Sequence, residues 1–385
     1  MSIQAMTAAE VTQRLVDGVQ LFILDVRNVE EYENWRIEGK HFASLNIPYF
    51  ELLDGVDQLE GKLPQDGPIL VACAKEGSSI FVAELLAEAG YKDLFYLAGG
   101  MKQWSEQLYE KKVYEDDHVV VYQVIRVGKG CLSYLVISGD EMLIIDPSRF
   151  AQFYLDVAER LNVTITRVAD SHLHADHISG GPALAQLTGA TYYLMKSEGA
   201  VLPFEPLEQH EQIQFQQAEL EVIALKTPGH TPGSVSFFLN QKLLFSGDTI
   251  FISGLGRPDL GGQVQEWAEQ LYDTVYTKVA EIADDVLVLP AHYANLQEEM
   301  NEHGYIGAAL GSIRQRNQEM FNTDKETFLE RVEESASHVK PPNFTEIVSI
   351  NRGVLEHVDE ERLAELEIGP NRCAIGGQSP TNLTR

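Results

Sequence analysis

The sequence predicts two domains: an α/β domain built on a parallel sheet with flanking helices, followed by a β-rich domain that holds a metal site. Three observations predict this. At 385 residues the chain exceeds what one hydrophobic core usually supports. In the first 110 residues apolar runs lead through turns into helical patterns, which marks parallel strands joined by crossovers. From Val119 short β-rich runs separated by glycine turns take over, and this half contains Ser171-His172-Leu173-His174-Ala175-Asp176-His177. Three imidazoles and a carboxylate packed so closely would be costly without an ion, so the cluster reads as metal-binding. The expected division is 1–110, a linker at 111–118 inside the polar segment 109–118, a second domain at 119–360, and a tail at 361–385 that is Gly- and Pro-rich from Gly369.

Charge and composition narrow the function. With 58 acidic and 29 basic residues the formal charge is -29, which repels phosphate backbones and anionic membranes. Neither nucleic acid nor a membrane is an expected partner. The amino terminus has no basic stretch followed by an apolar core, and no later stretch is apolar enough to span a bilayer, so a cytoplasmic location is expected. Cys73, Cys131 and Cys373 are odd in number and far apart, which suits a reducing compartment.

Within the first domain, Thr7 with Glu10 forms a capping-box pattern that starts a helix, and Gly18 ends it before the apolar run from Leu21 to Leu24. The runs from Ile69 to Ala72 and from Leu94 to Leu97 are further strands. Cys73 directly follows one of them. The loop Ala74-Lys75-Glu76-Gly77-Ser78 then leads into a helix with Val82, Leu85, Leu86 and Ala89 at helical spacing. A thiol facing backbone N–H groups at a helix N-terminus is a candidate nucleophile that can carry sulfur. Position alone leaves open a buried strand-end cysteine.

This region resembles a rhodanese, a sulfurtransferase domain. The resemblance is carried in order by Asp25-Val26-Arg27 with Glu31-Tyr32, by Asn46-Ile47-Pro48, by the cysteine loop, and by Leu97-Ala98-Gly99-Gly100-Met101-Lys102-Gln103-Trp104. It implies an α/β rhodanese fold and a catalytic Cys73 that carries the persulfide. A related fold dephosphorylates proteins with an arginine ending the loop. Ser78, Ser79 and Ile80 stand there instead, which argues against phosphatase chemistry.

The second domain opens with β-rich runs from Val119 to Val127, Cys131 to Ser138 and Met142 to Ile145, an expected antiparallel meander. Cys131 starts one of these and reads as a packed small side chain. A helical stretch from Phe150 to Leu161 leads to the histidine cluster. In an extended segment His172 and His174 point to one side. Three more candidates sit just past apolar strands: His230 after the run from Leu220 to Leu225, Asp248 after that from Leu243 to Phe245, and His292 after that from Val286 to Leu289. Strand ends along one sheet edge lie close together, so these segments can converge.

The pattern as a whole resembles the metallo-β-lactamase superfamily, which implies an αββα sandwich with metal at one edge. His172, His174, Asp176, His177, His230, Asp248 and His292 fill all seven ligand positions. Two chemistries are implied. In the persulfide dioxygenase type one Fe(2+) is held by the equivalents of His172, His230 and Asp248; His174, Asp176, His177 and His292 then orient ligands or form a second metal site. O2 and a thiol persulfide bind together, giving sulfite and the free thiol, while Cys73 passes sulfane sulfur either to sulfite, giving thiosulfate, or to a thiol that feeds the iron site. In the glyoxalase II type two Zn(2+) ions and a bridging hydroxide cleave a thioester. A third class is a non-enzymatic persulfide sensor. Gly254-Leu255-Gly256-Arg257-Pro258-Asp259 is similar to a dioxygenase segment whose arginine lies near substrate, so Arg257 inherits substrate binding, although Leu255 replaces that branch's cysteine. A sulfur-handling neighbour also favours the dioxygenase. Residues 296–338, with helix expected over 304–321, are expected to shape the thiol-carrier pocket or a homo-oligomer contact.

Overall fold

A computed structural model describes residues 3–210, 212–214, 221–258, 264–335, 343–371 and 374–375. Leu220, Asp259, Cys373, residues 336–338 and the tail beyond 375, all singled out above, lie outside the described residues. The chain forms two compact units. One is Met1–Tyr109 with Arg126–Lys129 and Ile368–Pro370, and the other is the remainder.

The first unit is a five-stranded sheet formed by β1 (Gln4–Met6), β2 (Leu21–Asp25), β3 (Phe42–Asn46), β4 (Ile69–Ala72) and β5 (Leu94–Leu97). Their order is β1-β5-β4-β2-β3, with every pairing parallel. Strands β1 and β3 escaped the sequence reading. Both sit at the sheet's edges, and β3 has no fully buried residue, so neither shows the apolar run of a central strand. The capping box at Thr7 is present and starts the helix Ala8–Val16. The sheet packs against the helix Gly77–Glu88 through Val71, Val82, Ala83 and Leu86.

In the second unit, β6 (Leu108–Glu115), β7 (Val120–Arg126), β8 (Cys131–Ser138), β9 (Glu141–Ile145), β10 (Thr164–Ala169), β11 (Thr191–Leu194) and β12 (Glu205–Pro206) make a seven-stranded sheet in reverse numerical order. The polar segment read as a linker is therefore largely strand. Its charged residues Glu110, Lys111, Lys112 and Glu115 are tolerated at the edge of the sheet, and composition does not distinguish such a strand from a tether. A six-stranded sheet follows the order β13 (Gln212–Gln214), β14 (Glu221–Lys226), β15 (Val235–Leu239), β16 (Leu243–Gly247), β19 (Leu287–Pro290), β20 (Ala308–Ala309). Short strands β17 (Ile250–Phe251), β18 (Gly254–Gly256) and β21 (Ala374–Ile375) form a third sheet.

The rings of Tyr134 on β8 and Phe245 on β16 meet at 4.9 Å between the two large sheets. Helices Ala151–Leu161 and Gly181–Thr188 cover the seven-stranded sheet, and Leu310–Arg316 lies on β20. This is the αββα arrangement. The helix expected over 304–321 begins only at Leu310, because Ile306 uses both backbone groups on Gln123 and Gly304 adopts φ +80°. No helix among the described residues is long and apolar enough to cross a membrane.

Candidate metal centre

Pairing direction explains why distant ligands converge. Strands β14 and β15 are antiparallel, β15 and β16 antiparallel, and β16 and β19 parallel, so β14, β16 and β19 end at the same edge. His230, Asp248 and His292 follow those ends directly. The cluster 171–177 follows β10, which runs parallel to β9 in the other sheet. Two sheets thus contribute, where the sequence suggested one sheet edge.

The seven expected ligands are all buried, but they divide among three groups. His172, His230 and Asp248 form one, with donor atoms within 4.8 Å of one another. His230 Nδ1 donates to the carbonyl oxygen of Arg257 at 2.9 Å, which leaves the Nε2 lone pair of the neutral ring pointing inward. His172 Nδ1 is held by Ser171 Oγ at 2.9 Å, and its Nε2 has no hydrogen-bond partner. Asp248 accepts from His292 Nδ1 at 2.6 Å through Oδ1. Its Oδ2 has no hydrogen-bond partner and faces His230 Nε2 at 3.3 Å and His172 Nε2 at 3.7 Å. Buried acceptors turned toward one another repel unless a cation lies among them, so these residues fit a metal ion. Burial and the neighbouring His174 push His172 well below the usual imidazole range, which keeps it in its ligating form. Burial raises Asp248, but the imidazoles of His292 and His172 outweigh it and hold the carboxyl below the usual range.

His174 departs from the expectation that it shares a side with His172. The segment bends, and His174 Nε2 lies 3.3 Å from Asp146 and 3.6 Å from Asp170. Burial lowers its pKa, yet these two carboxylates raise it well above the usual value. Asp146 adopts φ +52° and accepts from Ser171 N at 2.6 Å, so it also fixes the start of the motif. The third group is Asp176, His177 and His292 together with Cys131. Cys131 is not merely packed. Its Sγ lies 3.4 Å from Asp176 Oδ2 and 3.7 Å from His177 Nδ1.

Sequence reasoning missed Asp146, Asp170 and Cys131. The two aspartates follow β9 and β10 just as His230 and Asp248 follow their strands, and the same rule would have found them. Arg257 is buried rather than part of an exposed loop. Its approach depends on Gly256, where a Cβ would stand 1.8 Å from the Asp248 carbonyl oxygen.

In the first unit Cys73 lies buried at the end of β4, the central strand. Its Sγ is 3.3 Å from Ser79 Oγ on the helix that follows. The loop is held by Glu76 Oε1, which accepts from Gly99 N at 2.6 Å, and by Met101 N, which donates to the Cys73 carbonyl at 2.9 Å. A Cβ at Gly100 would come within 1.8 Å of Lys75 O, which accounts for the paired glycines. The Asp25-Val26-Arg27 motif is a buried ion pair at 2.6 Å.

Comparison with known proteins agrees with this layout. The Rhodanese-like domain family matches residues 7–107, and the Metallo-beta-lactamase superfamily matches residues 126–294. The chain is 35% identical over 171 residues to the mitochondrial persulfide dioxygenase ETHE1 of Bos taurus, a match covering 43% of this chain and 65% of that protein. It is 35% identical over 127 residues to a hydroxyacylglutathione hydrolase of Rhodospirillum rubrum, covering 32% of this chain and 48% of the other. The chain thus spans less than two thirds of these relatives. A crystal structure of a metallo-beta-lactamase from Staphylococcus aureus is 26% identical with a TM-score of 0.52, over 66% of this chain and 74% of that one. The chain carries a rhodanese-like domain followed by a domain of the metallo-beta-lactamase superfamily.

Proposed function

We propose that the second domain oxidises a low-molecular-weight thiol persulfide with O2, and that Cys73 in the first domain carries sulfane sulfur. The balanced reaction is RSSH + O2 + H2O giving RSH, sulfite and two protons. The observation that carries this reading is the open donor set of His172, His230 and Asp248, two imidazoles and one carboxylate. Asp248 Oδ1 accepts from His292, which orients the carboxylate so that its unpartnered Oδ2 faces His172 and His230. His172, His230 and Asp248 would hold the ion, and Fe(2+) held by such a set would supply the electron exchange with dioxygen that zinc lacks.

The chain's own groups do the rest. Arg257 contributes the positive charge that holds the thiol carrier. The pairs His174 with Asp146 and Asp170, and His292 with Asp176, are buried imidazole–carboxylate units that hold the released protons. At Cys73 the S–S bond of its persulfide breaks as sulfite takes the outer sulfur. A new S–S bond forms in thiosulfate, and the thiolate of Cys73 is left. The free, buried Cys73 and Cys131 suit a reducing compartment, which supports the cytoplasmic reading.

A zinc-dependent thioester hydrolase is the second reading, favoured by the likeness to a hydroxyacylglutathione hydrolase. Oxygen uptake with glutathione persulfide, paired with analysis of the native metal, decides between them. One iron per chain with many turnovers supports oxidation and excludes a sensor that only binds. Zinc alone, no oxygen uptake and brisk thioester cleavage overturns it.

A further inference from the structure

We infer that Glu198 is a positioning residue: its buried carboxylate ties the segment of His172 to the turn of His230 and so sets the spacing of the two imidazoles in the open donor group. The inference rests on that group as the seat of an ion and is independent of the oxidation proposed for it.

Glu198 ends the short turn Lys196–Glu198 that follows β11, and only 4% of it is exposed. Its Oε1 accepts from the hydroxyl of Thr231, the residue directly after His230. The N–H groups of Leu173 and Gly233 hydrogen-bond to the same carboxylate. The Leu173 N–H belongs to the planar peptide unit that begins at the His172 Cα, so holding it fixes the base from which His172 is aimed. At Gly233 a Cβ would stand 2.6 Å from Glu198 Oε1, so the close approach of this turn to the carboxylate requires glycine. The histidine motif follows β10, and the His230 turn joins β14 to β15. One side chain therefore links loops that leave two different sheets.

Glu198 is itself held from both sides. Glu208 accepts from Lys196 N at 2.9 Å and from Ser197 N at 3.1 Å, which fixes the turn that carries it. Arg352 Nε donates to the Glu198 carbonyl oxygen at 3.2 Å, and Val201 N donates to Arg352 O at 2.8 Å. A side chain so braced can transmit position to the loops it touches. Burial raises the Glu198 pKa above the usual carboxylate value, and the Thr231 hydroxyl, the Leu173 N–H, Arg352 and the Gly233 N–H oppose that rise. Burying a carboxylate without such donors is costly, so the bonds to both loops hold it in one orientation. An acceptor-only carboxylate can serve all of these donors at once. Glutamine fills the same space but turns an NH2 group toward one of them, which breaks that bond.

The test is cobalt(II) binding to the metal-free full chain, read as affinity by chelator competition and as the visible ligand-field spectrum. The equivalent followed is the one that His230→Ala loses. Glu198→Gln should weaken it about tenfold or more and shift its spectrum. Thr231→Val, close in size but without the hydroxyl, should weaken it in the same direction, and Thr231→Ser should keep the parent affinity. Parent affinity and spectrum in Glu198→Gln overturn the inference, as do equal losses in the two Thr231 variants, which would mark a packing role. If Glu198→Gln does not fold, the Thr231 pair decides alone. A parent chain that binds no cobalt sinks the ion's seat and this inference together, whereas one that binds metal and consumes no oxygen sinks the oxidation reading alone.

Discussion

The side-chain amide of Asn351 donates to the carbonyl oxygen of His174 at 2.8 Å, across 177 residues of sequence. It donates equally to His177 O at 2.8 Å, and its own oxygen accepts from Ser179 N at 3.0 Å. Glu367, fully buried, accepts from Ile178 N at 2.8 Å and from Arg149 at 2.7 Å. The turn carrying four of the seven candidate ligands is closed by side chains near the C-terminal end of the domain. Asn351→Ala leaves these buried backbone groups unmatched, each costing about 1–3 kcal/mol. A lower melting point together with cation affinity weakened about tenfold or more, measured by chelator competition, is expected. A loss of stability alone would show that Asn351 does not position the ligands.

Single replacements should separate the donor groups. His230→Ala removes a donor from the open group and should abolish iron binding and oxygen uptake. His174→Ala should leave stoichiometric iron, because His174 faces Asp146 and Asp170 instead. Metal analysis of the two purified variants is the measurement, and equal iron loss in both would merge the groups.

Gly256→Ala places a methyl group where the Asp248 carbonyl oxygen already lies, so the backbone must move. Reduced metal content is expected, with the rhodanese activity of the same chain unchanged. Full metal retention would show that the loop yields freely.

Cys73→Ser should abolish thiosulfate formation while oxygen uptake on a preformed persulfide continues. Simultaneous loss of both would contradict the division of labour between domains.

The capping box gives the first domain a predictable acid response. Glu10 accepts from Thr7 N at 2.7 Å, and that backbone hydrogen bond, with the Thr7 hydroxyl, holds its carboxyl below the usual value. A lowered folded-state pKa adds stability that is present above the unfolded value and fades as pH falls through the folded one. Thr7→Ala should cost about 1 kcal/mol near neutrality. Its melting-point deficit should shrink below pH 4, and a deficit constant with pH would remove the carboxylate from the explanation.

Much of this was legible in the residues. Motif spacing revealed the seven candidate ligands because strong metal-binding side chains are rare in such density. Strand ends were legible for His230, Asp248 and His292 because the runs from Val222 to Leu225, Leu243 to Phe245 and Val286 to Leu289 are apolar throughout. The partition into three groups was not. It depends on bends within residues 170–178 and on which ring nitrogen each backbone carbonyl engages. Cys131 gave no signal because a strand's first residue looks alike whether it packs or ligates. Asn351 and Glu367 work through backbone atoms of distant residues, which leaves no pattern in composition or spacing. The edge strand β6 was mistaken for a tether because half of its residues are charged, as in a polar linker.

The alignment of β14, β16 and β19 has a consequence for how such a protein can diversify. Each ligand is anchored on its N-terminal side by ladder hydrogen bonds, and the residue after it is tied as well, Thr231 to Glu198, Thr249 to Ser246 and Tyr293 to Gly130. Insertions placed beyond these ties, rather than directly after His230, Asp248 or His292, can remodel the entrance while the ligands keep their anchors. Foreign loops grafted beyond these ties should redirect selectivity while inheriting the original chemistry.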